Sequence, residues 1–332
     1  MSSINSCNQT KITQFLLLGF HGPQILRISL FYIFLLIYIM ALGGNLLIVA
    51  LYLGSHHLRS PMYFFLSNLS ITDILLSTNV GPNLLSALIN DGKLMSVPAC
   101  VTQFFTSGVF TGVECLLLNV MAYDRYLAIC KPLHYVTIMT NKHCLHLVIW
   151  SWVEVAVISL FAATATSHSG FCGCNTLDYI YCDYLPLLEV SCDDVSILER
   201  VIPVVTIPVV VLPFLFILTT YVCIFNSIFR ISSNTGRQKA FSTCSSHLTV
   251  VCTYYGILCA KYIVPSKGPS LNMNKIISLL YIMVTPLFNP IIYSFRNQEI
   301  WVALSKWVTS QDNLQLIQPP GPRARDKIIS MH

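Results

Sequence analysis

Two acidic residues lie inside long stretches of the chain that are otherwise apolar. Asp73 and Glu114 each stand near the middle of such a stretch, where a charge is costly unless it has a partner. Two carboxylates there share a proton, bind a small cation such as sodium, or accept hydrogen bonds from a polar neighbour such as Asn45. The sequence leaves open the choice between a cation site and plain interhelical hydrogen bonding. Glu154 lies in another apolar stretch and has no evident partner.

Two further motifs stand at the ends of apolar stretches. Asp124 and Arg125 are adjacent, and an ion pair at a membrane edge is easily made and broken. The simpler alternative is that the Arg125 side chain only extends towards the lipid headgroups. Pro290 removes a helical hydrogen bond beside the polar Asn289, which predicts a kink three residues before Tyr293. Together these motifs favour a functional role for the ends of these two stretches more than either motif does alone.

Cysteines form a third group of reactive side chains, and the chain has 13 of them. Cys172, Cys174, Cys182 and Cys192 crowd into one acidic segment, and Cys100 stands at the start of an apolar stretch. If these residues face an oxidising compartment, disulfides are expected. Five cysteines leave at least one without a partner, and sequence alone does not fix the connectivity. Metal binding is the alternative reading.

The elements that must position these groups follow from composition. Of 332 residues only 10% are charged while 55% are hydrophobic, and mean hydropathy is +0.67. A soluble domain carries roughly 25% charged residues. This excludes an ordinary cytosolic enzyme, a disordered protein and, despite a net charge of +5, a nucleic-acid binder. Seven stretches are long enough to span a bilayer as helices. They cover residues 28–55, 61–88, 97–130, 145–165, 197–229, 240–260 and 276–295.

The basic residues give the orientation. With the amino terminus outside, twelve lysines and arginines lie on the cytoplasmic side and seven outside, as the positive-inside rule favours. The sequon at Asn8 agrees, because glycosylation needs a lumenal site. The predicted fold is an all-α membrane protein: a seven-transmembrane helix bundle with an extracellular amino terminus and a short amphipathic eighth helix. Residues 1–310 are expected to form the seven-transmembrane domain, and residues 311–332 are expected to be a disordered cytoplasmic tail.

Four longer motifs then point to a family. They are PMYFFLSNLS at 61–70, MAYDRYLAIC at 121–130, KAFSTCSSHL at 239–248 and PLFNPIIYSFRN at 286–297. With these motifs the chain resembles the rhodopsin-like G-protein-coupled receptors and, within them, closely resembles the vertebrate olfactory receptors. The third motif is specific to the olfactory family.

The resemblance implies a receptor that binds small, mostly apolar odorants in the outer half of the bundle. It also implies activation of a heterotrimeric G protein of the stimulatory olfactory type, a rise in cyclic AMP, and a place in the plasma membrane of olfactory sensory cilia. No cofactor is required beyond a possible sodium ion at Asp73 and Glu114. The family pattern pairs Cys100 with Cys182 and Cys172 with Cys192. It assigns the G-protein switch to Asp124, Arg125, Tyr221, His247, Asn289, Pro290 and Tyr293.

The family pattern also implies a set of ligand-binding residues. Tyr255, Leu258, Cys259 and Tyr262 share one helical face, which independently suits an apolar pocket with a few hydroxyls. Packing of the bundle core is the alternative for all of these side chains. The implied set is Ser107, Gly108, Thr111, Gly112, Val205, Thr206, Val209, Tyr255, Leu258, Cys259, Tyr262, Leu279 and Ile282.

Other classes of function fit less well. An amine receptor would need an acid where Ser107 stands, and a retinal protein would need a lysine where Met283 stands. No catalytic constellation indicates an enzyme, since the histidines are scattered. A receptor for another small non-amine ligand, or a small-molecule transporter, is the remaining alternative. Cys174 and Glu154 depart from the family pattern.

Overall fold

The computed structural model describes residues 12–230, 233–264, 268–296 and 299–307. Seven long helices pack side by side, and they are called spans 1 to 7. The first six are Gln24–Gly54, Pro61–Asn90, Val97–Cys130, Asn141–His168, Ser196–Phe229 and Asn234–Ile263. Span 7 consists of an α-helix at Leu271–Leu279, a π-helical turn at Leu280–Val284 and an α-helix at Thr285–Arg296. The all-α membrane fold expected from the sequence is confirmed.

Hydropathy separates the spans into two groups. In the part of the chain that the structure describes, spans 1, 3, 4, 5 and 7 are long and apolar enough to cross a membrane. Spans 2 and 6 are as long, with 30 residues each, but carry more polar side chains. In the most apolar 18-residue segment of spans 3 and 7, 61% of the residues are buried. The corresponding share is 17–22% in spans 1, 4 and 5. Span 3 is therefore a central helix, and most of the surface of spans 1, 4 and 5 faces outward.

Local signals fix where several spans begin and end. Ser96 caps span 3 by accepting a hydrogen bond from the backbone N–H of Ala99, and Thr140 caps span 4 in the same way with His143. Span 2 starts with Pro61 at its first position and ends at Asn90, followed by the capping residue Asp91, whose φ of 56° is left-handed. Most spans extend a few residues beyond the boundaries predicted from hydropathy, because polar residues in the interfacial turns continue the helix.

A small sheet at the outer end was not expected from the sequence. Strand β1 is Gln14–Leu17, β2 is Lys93–Ser96 and β3 is Thr176–Leu177, in the order β2-β1-β3. Strand β1 pairs antiparallel with β2 and parallel with β3. Phe15 is fully buried beneath the sheet, with its ring 5.2 Å from that of Phe171. The sheet joins the amino-terminal segment to two outer loops.

Short helices close the inner end. One covers Pro132–Ile138 directly after span 3. Another covers residues 299–307 after span 7, where Ile300 and Ala303 are buried and Trp301 is exposed. This is the predicted amphipathic eighth helix. Tyr63 of span 2 donates a hydrogen bond of 2.8 Å to Glu299, which attaches the eighth helix to the bundle.

Candidate ligand pocket and signalling switch

Spans 3 and 4 approach each other closely where the ligand pocket was predicted. A Cβ atom on Gly108 would lie 3.0 Å from the Oγ of Ser159, and one on Gly112 would clash with the side chain of Val155. Both glycines therefore face span 4, where they allow the two helices to touch. Ser107 is buried and accepts a hydrogen bond of 2.8 Å from the Nδ2 atom of Asn79 in span 2. A ligand role for these three residues stays a prediction.

The remaining predicted pocket residues lie on spans 3, 5, 6 and 7. Tyr255, Leu258, Leu279 and Ile282 are buried, and the hydroxyl of Tyr255 has no hydrogen-bond partner among the residues described. The half-buried residues of the set are Thr111, Val205, Thr206 and Val209. Cys259 is exposed on the surface of span 6. The side chain of Tyr262 lies outside the described part of the structure.

A chain of hydrogen bonds runs inward from this region. The hydroxyl of Tyr254 donates to the backbone carbonyl of Thr111 at 2.8 Å and lies 3.4 Å from the hydroxyl of Tyr281. Tyr281 in turn donates to Oε2 of Glu114 at 2.9 Å. The π-helical turn at Leu280–Val284 contains Tyr281, and such turns often redirect side chains at functional sites. Glu114 is thus connected to the floor of the predicted pocket.

Glu114 and Asp73 are buried side by side and interact electrostatically. Asp73 accepts two hydrogen bonds from the Nδ2 atom of Asn289, at 2.9 and 3.2 Å. Asn289 precedes Pro290, so the carboxyl pair connects spans 2, 3 and 7. The relay of Tyr254, Tyr281, Glu114, Asp73 and Asn289, hereafter the central relay, extends from the pocket region to Pro290 of span 7, where the sequence predicts a kink.

Several buried side-chain oxygen atoms of spans 1, 2 and 3 have no hydrogen-bond partner in the described residues. They are Oε1 of Glu114, Oγ of Ser77 and Oδ1 of Asn45. The Nδ2 atom of Asn45 donates a hydrogen bond of 2.8 Å to the carbonyl of Pro286, and the Oδ1 atom of Asn45 faces away from that carbonyl. Carboxylate, hydroxyl and amide oxygens are the ligands that hard cations prefer. These oxygens are therefore of the chemical type that suits a sodium ion.

The Asp124–Arg125 pair lies at the inner end of span 3. Arg125 donates to Oδ2 of Asp124 through Nε, at 2.9 Å, and through Nη2. Tyr135 of the short helix Pro132–Ile138 donates to the other carboxylate oxygen at 2.8 Å. Asp124 is completely buried, so both of its oxygens have protein partners. Arg125 is therefore paired with the residue before it on its own helix, and its charge also acts on Tyr221 of span 5 and His247 of span 6.

A second group of switch residues lies between spans 3, 5 and 6. His247 is buried, with Nδ1 2.7 Å from the hydroxyl of Tyr221 and Nε2 3.1 Å from the carbonyl of Leu118. The ring of Tyr221 stacks on that of His247. Tyr293 of span 7 is also buried, but its hydroxyl has no partner in the described parts of the chain. Asp124, Arg125, Tyr221, His247 and Tyr293 therefore lie towards the inner end of the bundle, with Tyr293 as the unsatisfied member, whereas Asn289 and Pro290 lie deeper in the bundle, beside Asp73.

The loop between spans 4 and 5 covers the outer end. Disulfides Cys100–Cys182 and Cys172–Cys192 are both present, as the family pattern implied, and Cys174 is also disulfide-bonded. Asp178 accepts a bond of 2.5 Å from the buried Lys275 of span 7, and Asp183 pairs with Lys261 of span 6 at 2.9 Å. Burial tends to raise the pKa of Asp183, but the charge of Lys261 and hydrogen bonds from Lys261, Tyr181 and the backbone of Tyr184 outweigh it and lower the pKa.

Sequence reasoning missed part of this site. Tyr254, Tyr281, Tyr135 and Lys275 were not singled out, although Lys275 is fully buried and anchors the loop. A lysine near the start of an apolar stretch was the available signal for that anchor. No sequence signal identified the tyrosines, because Tyr281 depends on the π-helical turn. Glycosylation at Asn8 and the tail beyond residue 310 lie outside the described residues.

The fold and this arrangement define a seven-helix membrane receptor of the rhodopsin type. Squid rhodopsin has a similar structure, with a TM-score of 0.64 over 93% of this chain and 92% of that one, at 16% identity. A family model described as olfactory receptor matches residues 34–311. Human olfactory receptor 11A1 is 40% identical over 306 residues, which are 92% of this chain and 96% of the relative. Mouse olfactory receptor 5P60 is 41% identical over 318 residues, covering 95% and 99%.

The chain therefore belongs to the olfactory receptor family. It is a multi-pass protein of the plasma membrane and a receptor, and it is not an enzyme. Membership implies a small-molecule ligand and coupling to a G protein.

Proposed function

We propose that this receptor binds small, mostly apolar odorants in the outer half of the bundle and activates the stimulatory olfactory-type G protein, which raises cyclic AMP. The central relay is the observation that carries this proposal. It connects Thr111 and Tyr254, beside the predicted pocket, with Asn289 at the kink of span 7. A ligand that displaces Tyr254 changes the hydrogen bonds available to Glu114 and Asp73. Span 7 then moves at its kink, towards the switch residues at the inner end.

The residues around the predicted pocket favour a ligand with one or two hydrogen-bonding groups. Leu258, Leu279 and Ile282 supply apolar surface, and the unpartnered hydroxyl of Tyr255 offers a hydrogen bond. Lys261 is already paired with Asp183, so little free charge is left for an ionic ligand. We place the receptor in the plasma membrane of olfactory sensory cilia, with Asn8 glycosylated outside.

The decisive experiment replaces Arg125 in the full chain. Arg125→Ala removes the cation that the G protein would meet once the pair with Asp124 opens, so odorant-evoked cyclic AMP should be abolished. The measurement is a cyclic AMP reporter in cells that express the olfactory G protein, over a broad odorant panel, at matched surface expression. The exposed inner residue Arg59 gives the control Arg59→Ala, which should signal.

Two results would contradict this function. Normal signalling by Arg125→Ala would remove the switch from the inner end. Accumulation of a labelled odorant inside cells, without any cyclic AMP response in the unmodified chain, would indicate the transporter alternative.

We further propose that sodium binds beside Asp73 and Glu114, with the unpartnered oxygens of Ser77 and Asn45 completing its shell. Sodium should raise the melting temperature of the purified receptor relative to choline at equal ionic strength, because it binds only the folded state. Asp73→Asn should abolish that increase. Equal melting curves of the unmodified receptor in both salts would refute the site.

A further inference from the structure

Span 4 has one face packed in the bundle and one face exposed. Its buried residues recur every three or four positions along the helix, including Val148, Ser151, Val155 and Ser159. Glu154 belongs to the exposed side, at the middle of this 28-residue helix. Its carboxyl group therefore stands in the surface that the hydrocarbon core of the membrane would cover.

That position gives Glu154 no route to water. Each end of span 4 is about 20 Å away at 1.5 Å per residue, several times the reach of a glutamate side chain. Among the residues the structure describes, none forms a hydrogen bond or ion pair with it. A polar group left unsatisfied in hydrocarbon costs several kcal/mol. A partner supplied by another molecule would remove that cost.

The neighbours of Glu154 form a regular exposed stripe. Its members follow each other at intervals of four, three, four and three residues, the spacing at which two parallel helices pack along a seam. A single polar residue among the apolar positions of such a seam sets register and partner number. The stripe is Trp150, Glu154, Val157, Phe161 and Thr164.

We propose that this stripe is the interface at which a second copy of the chain binds. Two copies inserted in the same orientation are related by a twofold axis along the membrane normal. Such an axis brings each residue of the stripe near its own counterpart at the same depth. A hydrogen bond then joins the Glu154 side chains of the two copies. Val157 and Phe161 pack around the pair and keep it from lipid.

The second copy is favoured over an unrelated helix by the chemistry of the stripe. A partner with a basic residue would pair with Glu154, but the stripe offers no second charged group to orient it. A carboxyl is both donor and acceptor when one proton is shared, so the stripe is complementary to itself. Polar side chains of this kind hold membrane helices together.

Cross-linking in cell membranes tests the interface with the full chain. Val157→Cys should form a disulfide-linked dimer on mild oxidation, while the unmodified chain and Leu46→Cys, on the exposed face of span 1, should give only background. Adding Glu154→Gln to Val157→Cys should preserve cross-linking, since an amide still donates and accepts. Adding Glu154→Leu should lower it at least fivefold.

A packing variant provides a second measurement. Phe161→Ala keeps the carboxyl but removes apolar contact, and it should also weaken cross-linking of Val157→Cys at equal surface expression. The proposal is overturned if Val157→Cys gives no more dimer than Leu46→Cys, or if Glu154→Leu leaves the dimer unchanged. It is equally overturned if Val157→Cys links the chain mainly to a different protein.

Discussion

The two ends of the bundle are stabilised by different kinds of interaction. The outer end has covalent bonds, Cys100–Cys182 and Cys172–Cys192, a three-stranded sheet, and a buried lysine paired with Asp178. The inner end has an ion pair between neighbouring residues, a few hydrogen bonds and one buried hydroxyl without a partner in the described chain. The outer end is therefore suited to keep its shape while a ligand binds.

The inner end is suited to change. Adjacent Asp124 and Arg125 separate by side-chain rotation alone, without any movement of the backbone. Tyr135, Tyr221 and His247 make hydrogen bonds that each contribute about 1 kcal/mol net. The central relay lies between the two ends and joins Thr111 to Asn289 by hydrogen bonds and by the electrostatic contact between Glu114 and Asp73. This difference predicts large effects on folding from outer variants and effects on signalling from inner ones.

Breaking the outer disulfide should have the largest effect. The bond between Cys100 and Cys182 closes a loop of 82 residues, so its loss should cost about 4 kcal/mol through the entropy of the unfolded chain. Cys100→Ser should therefore lose most of its surface expression, measured by antibody staining of intact cells. Cys223→Ser is the matched control, because that cysteine is exposed and free. A Cys100→Ser variant that reaches the surface and signals normally would disprove the rigid outer end.

The Asp178–Lys275 pair should show an asymmetric effect. Lys275 is fully buried whereas the Asp178 side chain is 44% exposed. Asp178→Asn leaves a buried charge unpaired and should destabilise the receptor by about 3 kcal/mol, while Lys275→Met leaves a carboxylate that water reaches and should cost less. The melting temperature of the purified receptor measures both.

The double variant sharpens this test. Asp178→Asn combined with Lys275→Met should recover much of the stability that Asp178→Asn alone loses, because no buried charge remains. If the double variant is as unstable as the sum of the two single variants, the pair does not anchor the loop.

The smallest effect is expected at the inner end. Tyr135→Phe removes the hydrogen bond to Asp124 and should free the Asp124–Arg125 pair by about 1 kcal/mol, which corresponds to about a fivefold rise in ligand-independent cyclic AMP. Surface expression should stay unchanged, and Tyr126→Phe, at the residue of span 3 directly after Arg125, serves as control. Unchanged basal signalling, or a loss of folding comparable to Cys100→Ser, would erase the distinction between the two ends.

Much of the site was predictable from the sequence because its signals are local. A carboxylate within an apolar stretch marks Asp73 and Glu114 wherever the helices pack, and adjacency alone places Arg125 beside Asp124. The seven spans follow from runs of apolar residues that exceed the thickness of a bilayer. The two disulfide pairings came from family resemblance, since spacing left the connectivity open.

The partners of these residues were decided by the tertiary structure. Helical periodicity fixes which residues share a face but not which neighbouring helix that face contacts. Gly108 and Gly112 face span 4, and Cys259 lies on the exposed surface of span 6, although all three were predicted to line the pocket. Tyr281 reaches Glu114 because it lies in a π-helical turn. Lys275 of span 7 pairs with Asp178, which lies 97 residues earlier in the sequence, in the loop between spans 4 and 5. The sequence by itself determined the number of membrane-spanning helices and the depth of the charges within them. The rotation of each helix and the position of the outer loop depend on contacts between distant segments, which only packing creates.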